Sequence, residues 1–142
     1  MSGGVMGRGS EVRRVPREEA RTYLAKAKEF SAGAVDDLEQ GRWNAAGLSA
    51  IHAGICAADA VVIASGGVRS ASRDHGSALH LLKKTVPSVP AAHERQLTGL
   101  LGMKNAVEYE SRLLRESESK TLVEQSGRLV KWAGEVVAEQ LG

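Results

Sequence analysis

The chain has 142 residues, a length that suits one domain with a single core. Apolar residues make up 42% and charged residues 25%, a balance typical of a globular protein rather than a disordered one. The net charge of +2 is unevenly spread, because residues 66–104 hold six lysines and arginines but only two acidic residues. That basic middle favours an anionic partner.

The apolar runs, the cysteine count and the aromatic count exclude further classes of protein. No apolar run approaches the roughly 18 residues of a membrane span, and no apolar leader opens the chain, so we expect no membrane association. A single cysteine, Cys56, excludes an intramolecular disulfide framework and is typical of a cytoplasmic protein. Five aromatic residues are too few to favour a stacking platform for single-stranded nucleic acid.

The first half of the chain predicts a tail and two helices. Residues 1–15 contain four glycines and no apolar period, which predicts a mobile tail ahead of a domain over 16–142. Apolar residues recur at steps of three or four between Pro16 and Gly41, the pattern of an amphipathic helix. A second helix is predicted from about Asn44 to Ser65. Its many glycines and alanines favour a central position, where neighbouring helices approach closely.

The second half predicts three more helices. A polar, basic connector over 68–73 precedes a short helix that Pro87 ends. A fourth helix is predicted from about Ala92 to Leu114, and a fifth begins near Ser117. No alternating pattern predicts a strand. The fold class is therefore all-α, an antiparallel bundle of about five helices.

The second helix places His52, Cys56 and Asp59 on one face. One helix rarely closes a tetrahedral metal site alone, so we expect core packing and no metal. Asp59 interrupts an apolar segment and needs a partner, for which Lys104, an arginine of another helix or His52 could serve.

Two clusters of polar residues are candidates for a functional site. Basic residues surround the third helix and form either a phosphate-binding surface or a solvated face: Arg69, Arg73, His75, Lys83 and Lys84. On the fourth helix, Lys104 and Glu108 stand four apart, as do Asn105 and Tyr109. This second group is either a surface ion pair beside a packed tyrosine or a functional site.

The order of several motifs resembles the HEPN domain family. The motifs are residues 49–54 of the small-residue helix, Gly67-Val68-Arg69, the helix start at Asp74-His75, and residues 104–109. The likeness spans about Arg17 to Ala138. It implies an all-helical bundle that forms a homodimer and needs no cofactor.

The resemblance also implies a candidate chemistry. Active HEPN members are metal-independent ribonucleases that bear an arginine, a polar residue and then a histidine, and many are toxins paired with a nucleotidyltransferase-type antitoxin or parts of defence systems. Lys104, Asn105 and Tyr109 occupy those positions, with Asp59, Glu108 and His52 as supporting residues. Tyrosine is a poor base at neutral pH, and lysine lacks the planar fork of arginine. We therefore expect weak or no ribonuclease activity.

Three functions stay open from the sequence. The first is an RNA- or nucleotide-binding module in which Lys104, Asn105 and Tyr109 converge at one inter-helical cleft. The second is an active metal-independent endoribonuclease with a variant site, so that the sequence leaves open whether the protein is an enzyme. The third is a noncatalytic bundle in which the polar ridge, formed by the polar side chains of residues 104–109, is a dimer interface or an antitoxin contact.

Overall fold

The computed structural model describes residues 12–71 and 75–142, with only the backbone described for His75 and Gly76. Six α-helices follow one another along these residues: α1 (Ala20–Glu39), α2 (Trp43–Gly66), α3 (His75–Thr85), α4 (Ala91–Gly102), α5 (Lys104–Tyr109) and α6 (Glu116–Leu141). Five of them have 11 or more residues, and α5 has 6. The predicted all-α bundle of about five helices is confirmed.

The central position of α2 is confirmed. It packs chiefly against α1 and α6 and also contacts α3, α4 and α5. A Cβ atom added at Gly54 would lie 2.5 Å from Leu100 Cδ1, and one at Gly47 would clash with Leu114. Glycine at these two positions therefore lets α2 approach its neighbours more closely than any larger residue would allow.

The short turn between α1 and α2 makes these two helices antiparallel neighbours. Only residues 40–42 connect them, and Gly41 has a φ of 76°, which favours glycine. Gly67 ends α2 with a φ of 64°, and its N–H donates to Ile63 O at 2.8 Å. These two glycines therefore lie where α1 and α2 end, in a backbone conformation that other residues rarely adopt.

A two-stranded antiparallel sheet departs from the sequence prediction. Strand β1 (Val12–Arg14) pairs with β2 (Val68–Ser70), with Arg13 opposite Arg69. The end of the predicted tail over 1–15 and part of the predicted connector over 68–73 are therefore strands, whereas residues 1–11 lie outside the described residues. Strands of three residues are too short for an alternating pattern to reveal.

The predicted fourth helix is wrong in its length. Instead of one helix from Ala92 to Leu114, α4 ends at Gly102, α5 spans six residues, and Glu110 takes an extended conformation with ψ of 150°. Asn44 fixes this break, because its side chain donates to Val107 O and accepts from Leu114 N–H, both at 3.2 Å. A tertiary contact has replaced the helical hydrogen bonds that the sequence pattern favoured.

Arg17 joins the ends of two helices. Its Nε donates to Ala64 O near the end of α2 at 2.7 Å, and its Nη2 donates to Gln140 O at the end of α6 at 3.2 Å. These carbonyls belong to the last turns of their helices, where no intrahelical donor remains for the final four. The guanidinium therefore fixes one end of the bundle.

By length and composition, α2 is the one helix within residues 12–71 and 75–142 that could cross a membrane. Most of the residues in the apolar stretch of α2 are buried in the protein, as in the core helix of a globular bundle.

Candidate functional site

The polar ridge of α5 carries the three candidate catalytic residues. Lys104 Nζ donates to Glu108 Oε1 at 2.6 Å, and their side chains are only 14% and 21% exposed. An ion pair between these two residues, which the sequence offered as one of two interpretations, is present, but it is mostly buried rather than at the surface. The charge of Lys104 is therefore already balanced by a carboxylate within the protein.

Asn105 and Tyr109 do not join Lys104 in a cleft. Asn105 is exposed, and Tyr109 is 74% exposed next to the extended segment that begins at Glu110. The expected convergence of the three groups at one inter-helical cleft is not observed. The cause is the break after α5, which leaves Tyr109 at a helix end with no following turn to pack it against the bundle.

A second candidate surface lies on α3. His80, Lys83 and Lys84 are exposed and, with Leu79, line a shallow cleft of about 480 Å³. Lys83 Nζ lies 3.1 Å from Glu94 Oε2, and its side chain remains more than half exposed. Lys84 and His80 add further basic groups to the same face of the helix.

The remaining basic candidates do not all join this surface. Arg69 lies on β2 and turns toward the second helix, where it faces Asp59. Arg73 lies outside the described residues. His75 begins α3, but its side chain is likewise outside what the structure describes. Of the predicted phosphate-binding residues, Lys83 and Lys84 are therefore the pair that the structure brings together.

A third group surrounds Asp59, whose side chain is 17% exposed. Arg69 Nε lies 3.8 Å from Asp59 Oδ2, close enough for electrostatic attraction but too far for a hydrogen bond. Burial raises the pKa of Asp59 from its ordinary value of 3.8 to about 6, and the charges of Arg69 and Lys26 oppose this rise only in part. The partner of Asp59 is thus an arginine of a strand, and not Lys104 or an arginine of another helix.

Cys56 and His52 lie on the same face of α2. Burial, followed by the charge of Asp59, raises the pKa of the Cys56 thiol to about 11, so this thiol stays protonated at neutral pH. The His52 ring lies 5.4 Å from the Phe30 ring of α1. Within the described part of the chain, no three or more His, Cys, Asp or Glu side chains are grouped so that they could hold a metal ion.

Sequence reasoning missed the residues of α1 that complete this third group. Tyr23, Lys26, Glu29 and Phe30 line a cleft with residues of α2 and β2. The interruption of an apolar helix by Asp59 was the available signal, but it could not reveal which residues of another helix lie across from it.

Comparison of the chain with protein-family models and with curated proteins finds no match.

Proposed function

We propose that this protein is a HEPN-like helical bundle that binds RNA through the exposed basic surface of α3 and does not cleave it. The observation that carries the proposal is the contrast between two groups of cations. Lys83 and Lys84 are exposed beside His80, whereas Lys104 is mostly buried in an ion pair with Glu108. Cations that solvent can reach are the groups that exchange counterions for phosphates.

The absence of cleavage follows from the chemistry of the α5 ridge. Metal-free cleavage of RNA needs a group that accepts the proton of the 2′-hydroxyl near neutral pH. Where the resemblance expects a histidine, this chain has Tyr109, and a phenol is a poor general base at neutral pH. The compensated charge of Lys104 also offers little attraction to the scissile phosphate.

A titration of labelled single-stranded RNA at about 50 and about 200 mM salt tests the binding. The double variant Lys83→Ala/Lys84→Ala removes two positive charges from α3, so its salt slope is expected to fall by about 1.4 relative to the original chain. The matched control is Lys120→Ala/Lys131→Ala, which removes two exposed charges from α6. Equal losses in both variants, or no binding at the lower salt, would refute the α3 surface.

The same RNA, incubated with the protein and run on a denaturing gel, tests for cleavage. We expect it to remain intact at neutral pH. Cleavage that disappears in Lys104→Ala and in Tyr109→Phe would instead favour the active endoribonuclease.

One observation favours the dimerisation function as a second candidate. Tyr109 and Leu113 are 74% and 76% exposed, the most exposed large apolar side chains of the described residues. Exposed apolar groups of this size favour contact with another protein surface. If they form a homodimer seam, Tyr109→Ala would halve the molecular mass measured by light scattering, whereas Val35→Ala, at another exposed apolar position, would not change it.

A further inference from the structure

A cleft that the proposed RNA surface does not use lies between α1, α2 and β2. Its volume is about 500 Å³, within the range that small-molecule sites occupy. Eight residues line it: Tyr23, Lys26, Glu29, Phe30, Ile55, Cys56, Asp59 and Arg69. The cleft therefore combines charged groups with aromatic and aliphatic ones, the composition typical of a ligand site.

Arg69 packs against Tyr23, and among the described residues its Nε has no hydrogen-bond partner. This Nε is buried, and the guanidinium carbon lies 4.9 Å from the centre of the Tyr23 ring. One third of the side chain remains exposed. The N–H groups of a guanidinium can donate in parallel to a planar acceptor, for which a carboxylate is the matching group.

Lys26 provides a second cation in the lining of the cleft. Its Nζ lies 4.9 Å from the centre of the Tyr23 ring, so the two positive charges both lie close to one aromatic side chain. A ligand anion that binds near this ring would meet both cations.

The charges of the cleft limit the charge of its ligand. Two cations, Lys26 and Arg69, face two carboxyl groups, Glu29 and Asp59. A carboxylate monoanion that binds the two cations meets less repulsion from these carboxyl groups than a phosphate dianion would, because the repulsion grows with the charge of the ligand.

The rest of the lining is apolar. Phe30 is 40% exposed, and Ile55 and the protonated thiol of Cys56 extend the same wall. A flat apolar body that covered this wall would remove the exposed part of Phe30 from water.

We propose that this cleft binds a small aromatic monocarboxylate, with its carboxylate group on Arg69 and Lys26 and its ring against Phe30 and Ile55. The site is separate from the RNA surface of α3, so either proposal can fail without the other.

Calorimetric titration of the full chain with indole-3-carboxylate tests the proposal. We expect saturable binding in the micromolar to millimolar range, and binding of the neutral indole-3-carboxamide at least about fivefold weaker, because an ion pair accessible to solvent contributes about that factor. No saturable binding, equal binding of the carboxamide, or tighter binding of adenosine 5′-monophosphate would each overturn the proposal.

Two variants locate the binding site. Lys26→Gln is expected to weaken the binding of indole-3-carboxylate by about fivefold. Lys28 is exposed on the same helix but lies outside the lining, so Lys28→Gln is expected to bind like the original chain. Arg69→Gln is expected to weaken binding at least as much as Lys26→Gln does. Since Arg69 also packs on Tyr23, the Lys26 and Lys28 pair keeps the test decisive if the Arg69 variant does not fold. Equal affinities in that pair would refute the assignment.

The pH dependence of the affinity provides an independent readout. An anion beside Asp59 favours the protonated carboxyl, so binding takes up a proton above the pKa of about 6 and tightens by up to about tenfold for each unit that the pH falls toward 6. Lys26, Glu29 and Tyr23 of α1, Cys56 of α2 and Arg69 of β2 also line the cleft. Asp59→Asn removes the titrating carboxyl and is expected to flatten this dependence between pH 6 and pH 8. An unchanged pH profile in that variant would contradict the proposed site.

Discussion

Asp59 of α2 and Arg69 of β2 face each other with 3.8 Å between Oδ2 and Nε, a separation that attracts their charges but makes no hydrogen bond. The carboxylate therefore gains less from its partner than it loses by leaving water, and burial dominates its titration. The ionised form of Asp59 is thus a source of instability at neutral pH.

Asp59→Asn is accordingly expected to stabilise the protein at pH 7.5. The folded pKa of about 6 lies above the ordinary value of 3.8, so the contribution of Asp59 is fully favourable below about pH 4 and is lost as the pH rises through 6. A shift of about two units corresponds to at most about 3 kcal/mol, and we expect a gain of about 1–3 kcal/mol. Urea unfolding at pH 4 and pH 7.5 measures it.

The matched control is Asp36→Asn, which changes an exposed carboxylate of α1 and is expected to leave stability nearly unchanged at both pH values. A loss of stability in Asp59→Asn at pH 7.5 would show that attraction to Arg69 outweighs burial.

Glu118 shows the opposite dependence on pH. Its carboxylate accepts hydrogen bonds from Arg112 Nη1 at 3.0 Å and from the Arg115 N–H at 2.9 Å at the start of α6. The bonds from Arg112, followed by that from Arg115, lower the pKa of Glu118 from 4.5 to about 2. Its stabilising effect is therefore present above about pH 4.5 and is lost as the pH falls through 2.

Glu118→Gln is expected to lower the thermal midpoint at pH 7, and the difference from the original chain should disappear near pH 2. Calorimetry at the two pH values measures this change. Glu124→Gln alters an exposed carboxylate further along α6 and serves as the control. A midpoint difference that persists undiminished at pH 2 would argue against the carboxylate as its cause.

The close contact at Gly54 gives a prediction about packing. An alanine methyl there would lie 2.5 Å from Leu100 Cδ1 and 3.5 Å from Leu129 Cδ1, and both leucines are fully buried. Although alanine favours helix, overpacking in a dense core typically costs about 1–3 kcal/mol. We expect Gly54→Ala to be destabilising in chemical unfolding.

Gly134 of α6 is the matched position, because a methyl added there meets no heavy atom within 4 Å. Gly134→Ala is expected to stabilise by about 0.5–1 kcal/mol through helix propensity alone. If both alanine variants gained stability, the approach of α2 to Leu100 would be looser than the structure has it.

Asn44 gives a prediction about the break after α5. Asn44→Ala removes the two hydrogen bonds, to Val107 O and from Leu114 N–H, and leaves two partly buried backbone groups without these partners. We expect a loss of about 1–3 kcal/mol, together with faster amide exchange at Leu114. Asn105→Ala, at an exposed position on α5, should change neither measurement.

The bundle itself was largely predictable from local patterns. The spacing of apolar and small residues placed α1 and α2 within a few residues of their observed ends. The prediction of one long fourth helix was wrong for a physical reason. The pattern from Ala92 to Leu114 remains apolar, but Asn44, more than sixty positions away in the chain, binds the backbone where the helix would continue.

The candidate sites likewise contain some features that the sequence predicts and others that it does not. The Lys104–Glu108 pair was predictable, because residues four apart on a helix are neighbours. The exposure of Tyr109 was not, since it follows from the break that Asn44 fixes.

The sequence by itself determined that this chain forms helices with a small-residue helix among them, because helix periodicity and backbone freedom are local properties. It also determined that Asp59 would need a partner, since a carboxylate in an apolar helix cannot avoid the cost of leaving water. Only the tertiary structure decided that the partner is Arg69 and that Lys26, Tyr23 and Phe30 complete the cleft around it. Which residues of distant segments meet depends on how helices pack, and packing is settled by the shape of the whole core.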